Sequence, residues 1–192
     1  MRAAKLSLVV LLISLLAACG FKLRGGAELP GYNLPFATIA LSLAPTSEFH
    51  AQLKRTIEAS SPGTRVVDTG EAEAILTVLA DTNQKVILSL NAAGRAREFQ
   101  LLRTFTFKVH ANVAGVRPAP QVKYTDVPAA VATEYIPPST ITLRREITFS
   151  DDLVLSKESE EALLWRDMQS DLVQQLMRRL AAAKLRPVKA AE

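Results

Sequence analysis

The chain has 192 residues, 48% of them hydrophobic, with 23 Lys and Arg against 19 Asp and Glu and a formal net charge of +4. A length of this order suits one core and is short for two, and so small a positive excess excludes a blanket nucleic-acid-binding surface; an electrostatic partner has to be met by a local patch. A single cysteine excludes an intrachain disulfide, so packing has to supply the stability.

The first eighteen residues read as a leader. Arg2 and Lys5 make a short basic start, and Leu6 to Ala18 follow without a charge. That run falls short of the roughly 20 apolar residues a spanning helix needs, and it has the form of a secretory h-region ending in small residues. Leu16-Ala17-Ala18-Cys19 looks like a bacterial lipobox, in which the thiol is acylated and the cleaved chain begins at Cys19. A leftover cysteine in a secreted chain needs such an explanation. The expected modification is a covalent N-acyl diacylglycerol on Cys19, with no other cofactor. Each buried methylene contributes about 0.8 kcal/mol, and several chains together anchor stably where one does not. Gly20 in place of Asp favours, by resemblance to bacterial lipoproteins, the outer membrane over the inner one. Removing Arg2 and Lys5 leaves 21 basic against 19 acidic residues, a net charge of about +2.

Residues 19–34, with Gly25, Gly26, Pro30 and Gly31, read as anchor and tether, and residues 35–186 as one domain. Phe36 to Ala44, bounded by Pro35 and Pro45, predicts the first strand. Thr46 or Ser47 then caps a helix with Phe49, Leu53 and Ile57 at helical spacing, stopped by Ser60-Ser61-Pro62-Gly63. Thr64 to Val67 predicts a short strand. Ala74 to Leu90 is mostly apolar and β-branched, broken by Asp81, Asn83 and Gln84. Asn91 to Gly94 is a turn, with Gly94 free to take positive φ. Beyond it Phe99, Leu101, Arg103, Phe105, Phe107, Val109, Ala111 and Val113 alternate with polar residues, which predicts a strand with one wet face. The two runs make a long antiparallel hairpin.

Arg117 to Pro138 contains five prolines and reads mainly as loop, with room for an edge strand near Val122 to Thr125. Ile141, Leu143, Ile147 and Phe149 alternate with polar residues in a final strand, and Arg145 interrupts its apolar face at the expected rim. Ser156 reads as the N-cap of the last helix, with Glu158, Glu160 and Glu161 crowding the next turn. Trp165, Met168, Leu172, Leu176, Leu180 and Ala183 form an apolar stripe for the sheet's dry face. Arg178, Arg179, Lys184 and Arg186 gather at its far end, Pro187 limits extension, and residues 187–192 are expected to fray. The fold class is therefore α+β: a two-layer sandwich whose mixed or largely antiparallel sheet of four to five strands carries two helices on one face.

Catalytic signatures are missing. His50 and His110 are the two histidines, and neither has a metal-ligand spacing. There is no G-x-S-x-G elbow and no P-loop, and Asp151-Asp152 and Glu160-Glu161 suit capping and solvation. The expectation is a binding protein, not an enzyme. Arg95, Arg97 and Arg103 cluster toward the hairpin tip against Glu98 alone, and Lys157 opens the last helix. Such arginines can simply keep a strand end soluble; with an outer-membrane anchor, Arg forks and a Lys point charge also suit the phosphates of an anionic headgroup.

Cys19-Gly20-Phe21-Lys22-Leu23-Arg24-Gly25 resembles the mature start of the LptE family of outer-membrane lipopolysaccharide (LPS) assembly lipoproteins. The resemblance continues through Gly94 to Gln100, and through Leu155-Ser156-Lys157-Glu158 with Glu161, Met168 and Arg179-Leu180. It implies a small α/β sandwich, held at the outer membrane on the periplasmic side, that plugs the lumen of the β-barrel LptD in a one-to-one complex. It further implies that the domain helps the barrel assemble, binds LPS and takes part in moving it into the outer leaflet, with Lys157, Arg95 and Arg97 on the lipid A phosphates. A basic residue that some members carry in the hairpin turn is replaced by Ala92, with Arg95 and Arg97 near enough to stand in, and the Pro-rich segment is longer than in many members. The other reading is a free-standing envelope lipoprotein that binds a different anionic polymer or regulates an envelope enzyme.

Overall fold

Alternation of apolar and polar residues becomes a central strand, and the rest of the domain is arranged about it. The computed structural model describes residues 31–112, 133–149 and 154–187. Their elements are β1 (Thr38–Ser42), α1 (Glu48–Ser60), β2 (Arg65–Val66), β3 (Ala74–Leu90), β4 (Ala96–Ala111), β5 (Thr133–Thr148), α2 (Val154–Ala181) and β6 (Arg186–Pro187). They build one sheet in the order β2-β1-β3-β4-β5-β6. The β1 strand runs parallel to both β2 and β3, and the remaining pairs are antiparallel.

Along β4, Leu101, Arg103, Phe105, Phe107 and Val109 are buried while the residues between them are half-buried, as period-two geometry requires when helices cover one face. The polar face carries Thr104 opposite Thr142 and Thr106 opposite Thr140, the latter pair sharing a hydroxyl hydrogen bond of 3.0 Å. Ser47 caps α1: its backbone is extended and its Oγ accepts from the His50 N–H at 3.1 Å. The four-residue spacing of Phe49, Leu53 and Ile57 turns one face of α1 into the core, and Phe49 meets Phe105 edge-on with centroids 5.4 Å apart. From α2, Met168, Leu172, Val173, Leu176, Met177 and Leu180 are buried in the same core. The helices also meet directly, Gln169 Nε2 donating to Gln52 Oε1 at 2.8 Å and Gln52 Nε2 to Ser170 Oγ at 3.2 Å. Both helices therefore cover one face of a mixed sheet.

Several boundaries differ from the sequence expectations. The sheet has six strands where four to five were expected, because Arg186 and Pro187 pair with Glu134 and Thr133; a two-residue strand is too short to leave a periodic signal. The β5 strand starts at Thr133, taking in the end of the segment read as loop. Phe107 pairs with Ser139 and Val109 with Ile136, so Pro137 and Pro138 fall where the ladder skips. Their missing N–H groups cost no ladder bond on that open edge. The α2 helix starts at Val154, which puts Ser156 inside its first turn, where a free N–H is normal and Ser is tolerated. The Glu158–Glu161 cluster thus lies past the first turn, where the helix dipole acts more weakly. Gly31 to Leu34, read as the end of the tether, already pack on the domain: Tyr32 N donates to Ser60 O at 2.7 Å and Leu34 is buried. The edge strand near Val122 to Thr125 lies outside the described residues.

One asymmetry positions everything that follows. The β1 strand accompanies β3 only from Ala74 to Thr77, and Pro45 soon turns the chain away. Among the described residues, β3 beyond Thr77 is paired on one side alone, with β4. The distal half of the hairpin therefore extends past the part of the sheet that β1 and α1 complete.

Candidate functional site

The end of that hairpin is built by its turn. Asn91 Oδ1 accepts from Ala93 N at 3.0 Å and Arg95 N at 2.9 Å, Asn91 N donates to Arg95 O at 2.7 Å, and Gly94 N donates to Asn91 O at 2.9 Å. An Asx clamp of this kind replaces regular ladder bonds and needs a residue that tolerates φ of +75°, which Gly94 supplies. A side chain at Gly94 would meet no atom, so the requirement is purely backbone conformation. The clamp fixes where Arg95 leaves the turn. Arg95 and Arg97 are both exposed, and Arg97 O accepts from Phe149 N at 2.6 Å, which ties the end of β5 to the same place.

Two of the expected basic residues are therefore brought together, and a third is not. Arg103 lies far down β4, opposite Asn83 and Leu143, and is only 6% exposed. Its guanidinium grips Asp81 through Nε at 3.2 Å and Nη2 at 2.9 Å and lies 5.2 Å from the centre of the Phe49 ring. It is a structural residue of the core, not a member of the tip cluster. The alternation pattern, which set it among Leu101 and Phe105, carried that signal.

Lys157 lies in the first turn of α2 and bonds Glu160 Oε2 at 2.7 Å, with its side chain 16% exposed. Its ammonium already holds a carboxylate, so an anion has to compete with or join that pair. One turn on, Glu161 Oε2 accepts from Lys85 Nζ at 2.6 Å and Glu161 Oε1 from Trp165 Nε1 at 3.3 Å, which sets the start of α2 alongside the distal half of the hairpin. Sequence reading passed over Lys85. It faces inward opposite Leu101, 4.4 Å from the centre of the Phe99 ring, and Phe99 in turn stacks edge-on against Phe149 at 5.8 Å. Its only signal was a lone cation following the polar break at Asp81, Asn83 and Gln84. Arg145 does lie at the rim as expected, paired with Asp171 of α2.

The titratable groups with displaced pKa values lie away from this end. Burial, reinforced by Lys108, holds His110 below the ordinary imidazole value, and its Nδ1 is buried without a hydrogen-bond partner among the described residues. Burial, then the charge and hydrogen bond of Glu73, raise the Tyr135 phenol. The described residues contain no group of three His, Cys, Asp or Glu able to hold a metal ion. Cys19 lies outside them. What the geometry offers chemically is a rigid hairpin end with two exposed guanidinium groups, a lysine beside a pair of aromatic rings, and apolar side chains along β3.

Residues 36–180 match the model of a family described as LptE, lipopolysaccharide-assembly. Among solved structures, the chain is similar to the uncharacterized lipoprotein B of Nitrosomonas europaea at 29% identity, covering 85% of this chain and 91% of that one with a TM-score of 0.60. A minor lipoprotein of Acinetobacter baumannii shares the fold at 22% identity, covering 82% of this chain and 99% of its own, with a TM-score of 0.58. The rare lipoprotein B of Shewanella oneidensis does so at 18% identity, covering 76% and 94%, with a TM-score of 0.55. A search of curated proteins found no match.

Proposed function

Because this chain belongs to the LptE family of lipopolysaccharide-assembly proteins, we propose that it is the lipoprotein subunit of the outer-membrane LPS translocon. In this reading Cys19 is acylated and holds the domain to the periplasmic side of the outer membrane. The domain plugs the lumen of LptD, helps that barrel assemble and binds LPS. It performs no catalytic step. The lipoprotein character of its structural neighbours and the lipobox before Gly20 support the anchor. No described helix is long and apolar enough to cross a membrane. A plug inside a large barrel meets a polar wall, and the mixed-charge, threonine-bearing outer face of the sheet suits such a lining.

The observation that carries the LPS assignment, beyond family membership, is the pair of exposed arginines on the clamped turn. Guanidinium forks match phosphate oxygens in geometry and charge, and lipid A presents phosphates. Lys157 joins them by family resemblance. Charge-assisted bonds of this type contribute about 1.5–3 kcal/mol each when partly desolvated, and much less when exposed.

Affinity purification on a C-terminal tag tests the partnership. A large, heat-modifiable β-barrel is expected in near one-to-one amount; a soluble or inner-membrane partner in its place would overturn the reading. Lys157→Asp is expected to weaken LPS binding with the fold intact, and unchanged binding would remove Lys157 from the site.

A further inference from the structure

The sheet has two long edges open to pairing, and the described residues guard one of them. Along β5, Pro137 and Pro138 bring no amide hydrogens, Arg179 Nη2 donates to Thr140 O at 3.1 Å and Arg145 Nη1 to Arg144 O at 3.0 Å. Prolines and charged side chains are the usual means by which an edge strand refuses a neighbour. The outer side of β3 has no such cover among the described residues. Between the register shifts at Val78/Ala80 and Ile87/Ser89 the strand runs without interruption from Ala80 to Ile87, and every residue of that stretch is exposed. Its unused backbone groups can be identified. Arg97 O accepts from Phe149 N, so alternation gives the odd-numbered residues of β4 to β5 and the even-numbered ones to β3. Asp81, Asn83, Lys85 and Ile87 stand opposite odd-numbered residues of β4. Their N–H and C=O groups therefore point out from the edge.

We propose that this edge is the docking surface for a second copy of the chain, paired antiparallel about a two-fold axis at Asn83. Charge complementarity selects both the occupant and the register. In a symmetric antiparallel pair, residues equally far from the axis face each other. Asp81 and Lys85 are each two residues from Asn83, so the axis sets Asp81 of each copy opposite Lys85 of the other, and the contact is made twice. Both side chains lie on the helix side, opposite Phe105 and Leu101, and both are about one-third exposed. On the wet face Ala80 then meets Val86, and Thr82 meets Gln84. Asn83 meets its own copy with outward backbone groups on both sides, so the two exchange both hydrogen bonds. An axis at Asp81 or at Lys85 would oppose like charges at its centre, which is unfavourable. An axis at Thr82 or Gln84 leaves both charges without an opposite. The matched span, Ala80 to Val86, ends before either register shift. Enclosure of the hairpin in a barrel, as in the function proposed above, takes the same edge; the pair is therefore the form of a chain that has not engaged the barrel, and it does not depend on LPS.

The test is site-specific disulfide formation in the full-length chain, purified without a barrel in nonionic detergent and oxidised with copper phenanthroline. The parent, with Cys19 alone, is the blank. Hydrogen-bonded opposite residues have Cα atoms about 5.5 Å apart, within the range a disulfide bridges, and N83C is expected to link to itself. A80C and V86C are each expected to fail alone, because either residue and its own copy are about 20 Å apart at 3.3 Å per residue. Mixed together, those two chains are expected to link. Lys85→Glu in the N83C chain opposes carboxylates at both contacts and is expected to raise the concentration for half-maximal linking at least about tenfold, with the thermal midpoint verifying the fold. If that variant unfolds, since Glu161 also faces position 85, K85Q is read in its place with a loss of several fold expected. Failure of N83C to link above the blank, or of A80C to link with V86C, overturns the pairing. Equal linking of all three positions to themselves does so too, because the contact is then unspecific. Undiminished linking in the folded Lys85 variant overturns the charge match that selects a second copy. Each of these results leaves the barrel partnership standing, which the affinity purification decides separately.

Discussion

The two halves of β3 obey the same backbone rules and have opposite fates. From Ala74 to Thr77 the strand lies between β1 and β4, and Ala74 and Leu76 are fully buried. From Leu79 to Leu90 it has β4 alone among the described residues, and most of its side chains, apolar ones included, are exposed. The first half is closed by α1 and the core phenylalanines; the second reaches beyond them with a clamped turn and two arginines. Burial of about 25 cal/mol per Å² rewards the first half and does little for the second. The length of the hairpin is therefore not explained by folding, which is the physical reason for placing function at its end.

Four substitutions or conditions would break or sharpen this contrast. The largest effect belongs to the proximal half: Phe105→Ala, which removes the ring against Phe49, is expected to cost about 3–5 kcal/mol in denaturant unfolding. Next is the junction between the halves. Asp81→Ala strands the buried Arg103 guanidinium and is expected to cost about 2 kcal/mol, below the figure for a fully buried pair because Asp81 is one-third exposed. A smaller effect is expected from pH. His110 is held neutral in the folded chain, so the unfolded chain takes up its proton first. Stability is then unaffected above the ordinary value of 6.5 and falls as pH drops below it, down to the lowered folded value. His110→Gln should flatten that part of the profile, read as the urea midpoint against pH. The smallest effect is at the tip: L88S/L90S should leave stability within about 0.5 kcal/mol of the parent. A cost of several kcal/mol there would mean that the distal half is core after all, and the contrast would fail.

Much of this was legible in the residues themselves. The alternation read over 99–113, the Asn91–Gly94 turn, the Phe49-Leu53-Ile57 face and the stripe read from Trp165 to Ala183 are repeated patterns; the alternation holds as far as Val109, beyond which Asn112 is buried in place of Ala111 and Val113 lies outside the described residues, and the helical stripe runs to Leu180 before the helix ends at Ala181. What did not read out depended on single residues or on neighbours distant in sequence. Pro137 and Pro138 argued for loop because sequence does not reveal that they fall at a skip in an edge ladder. Ser156 imitated a cap, since Ser is favoured both there and within the first turn. Arg103 was grouped with the tip arginines by charge, although its place in the alternation fixed it in the core against Asp81. Of the site, Arg95 and Arg97 were visible as a charge cluster beside a turn. Lys85 was not, because its role comes from the rings of Phe99 and Phe149 and the carboxylate of Glu161, which the fold brings to it.

The unaccompanied side of β3 has a consequence for the cell. A dozen residues of strand whose outer amide and carbonyl groups find no partner strand among the described residues are an open invitation to foreign β-structure. Lys85 and three irregularities in the ladder are modest deterrents. A chain made in excess of whatever shelters that margin would be prone to stick to itself.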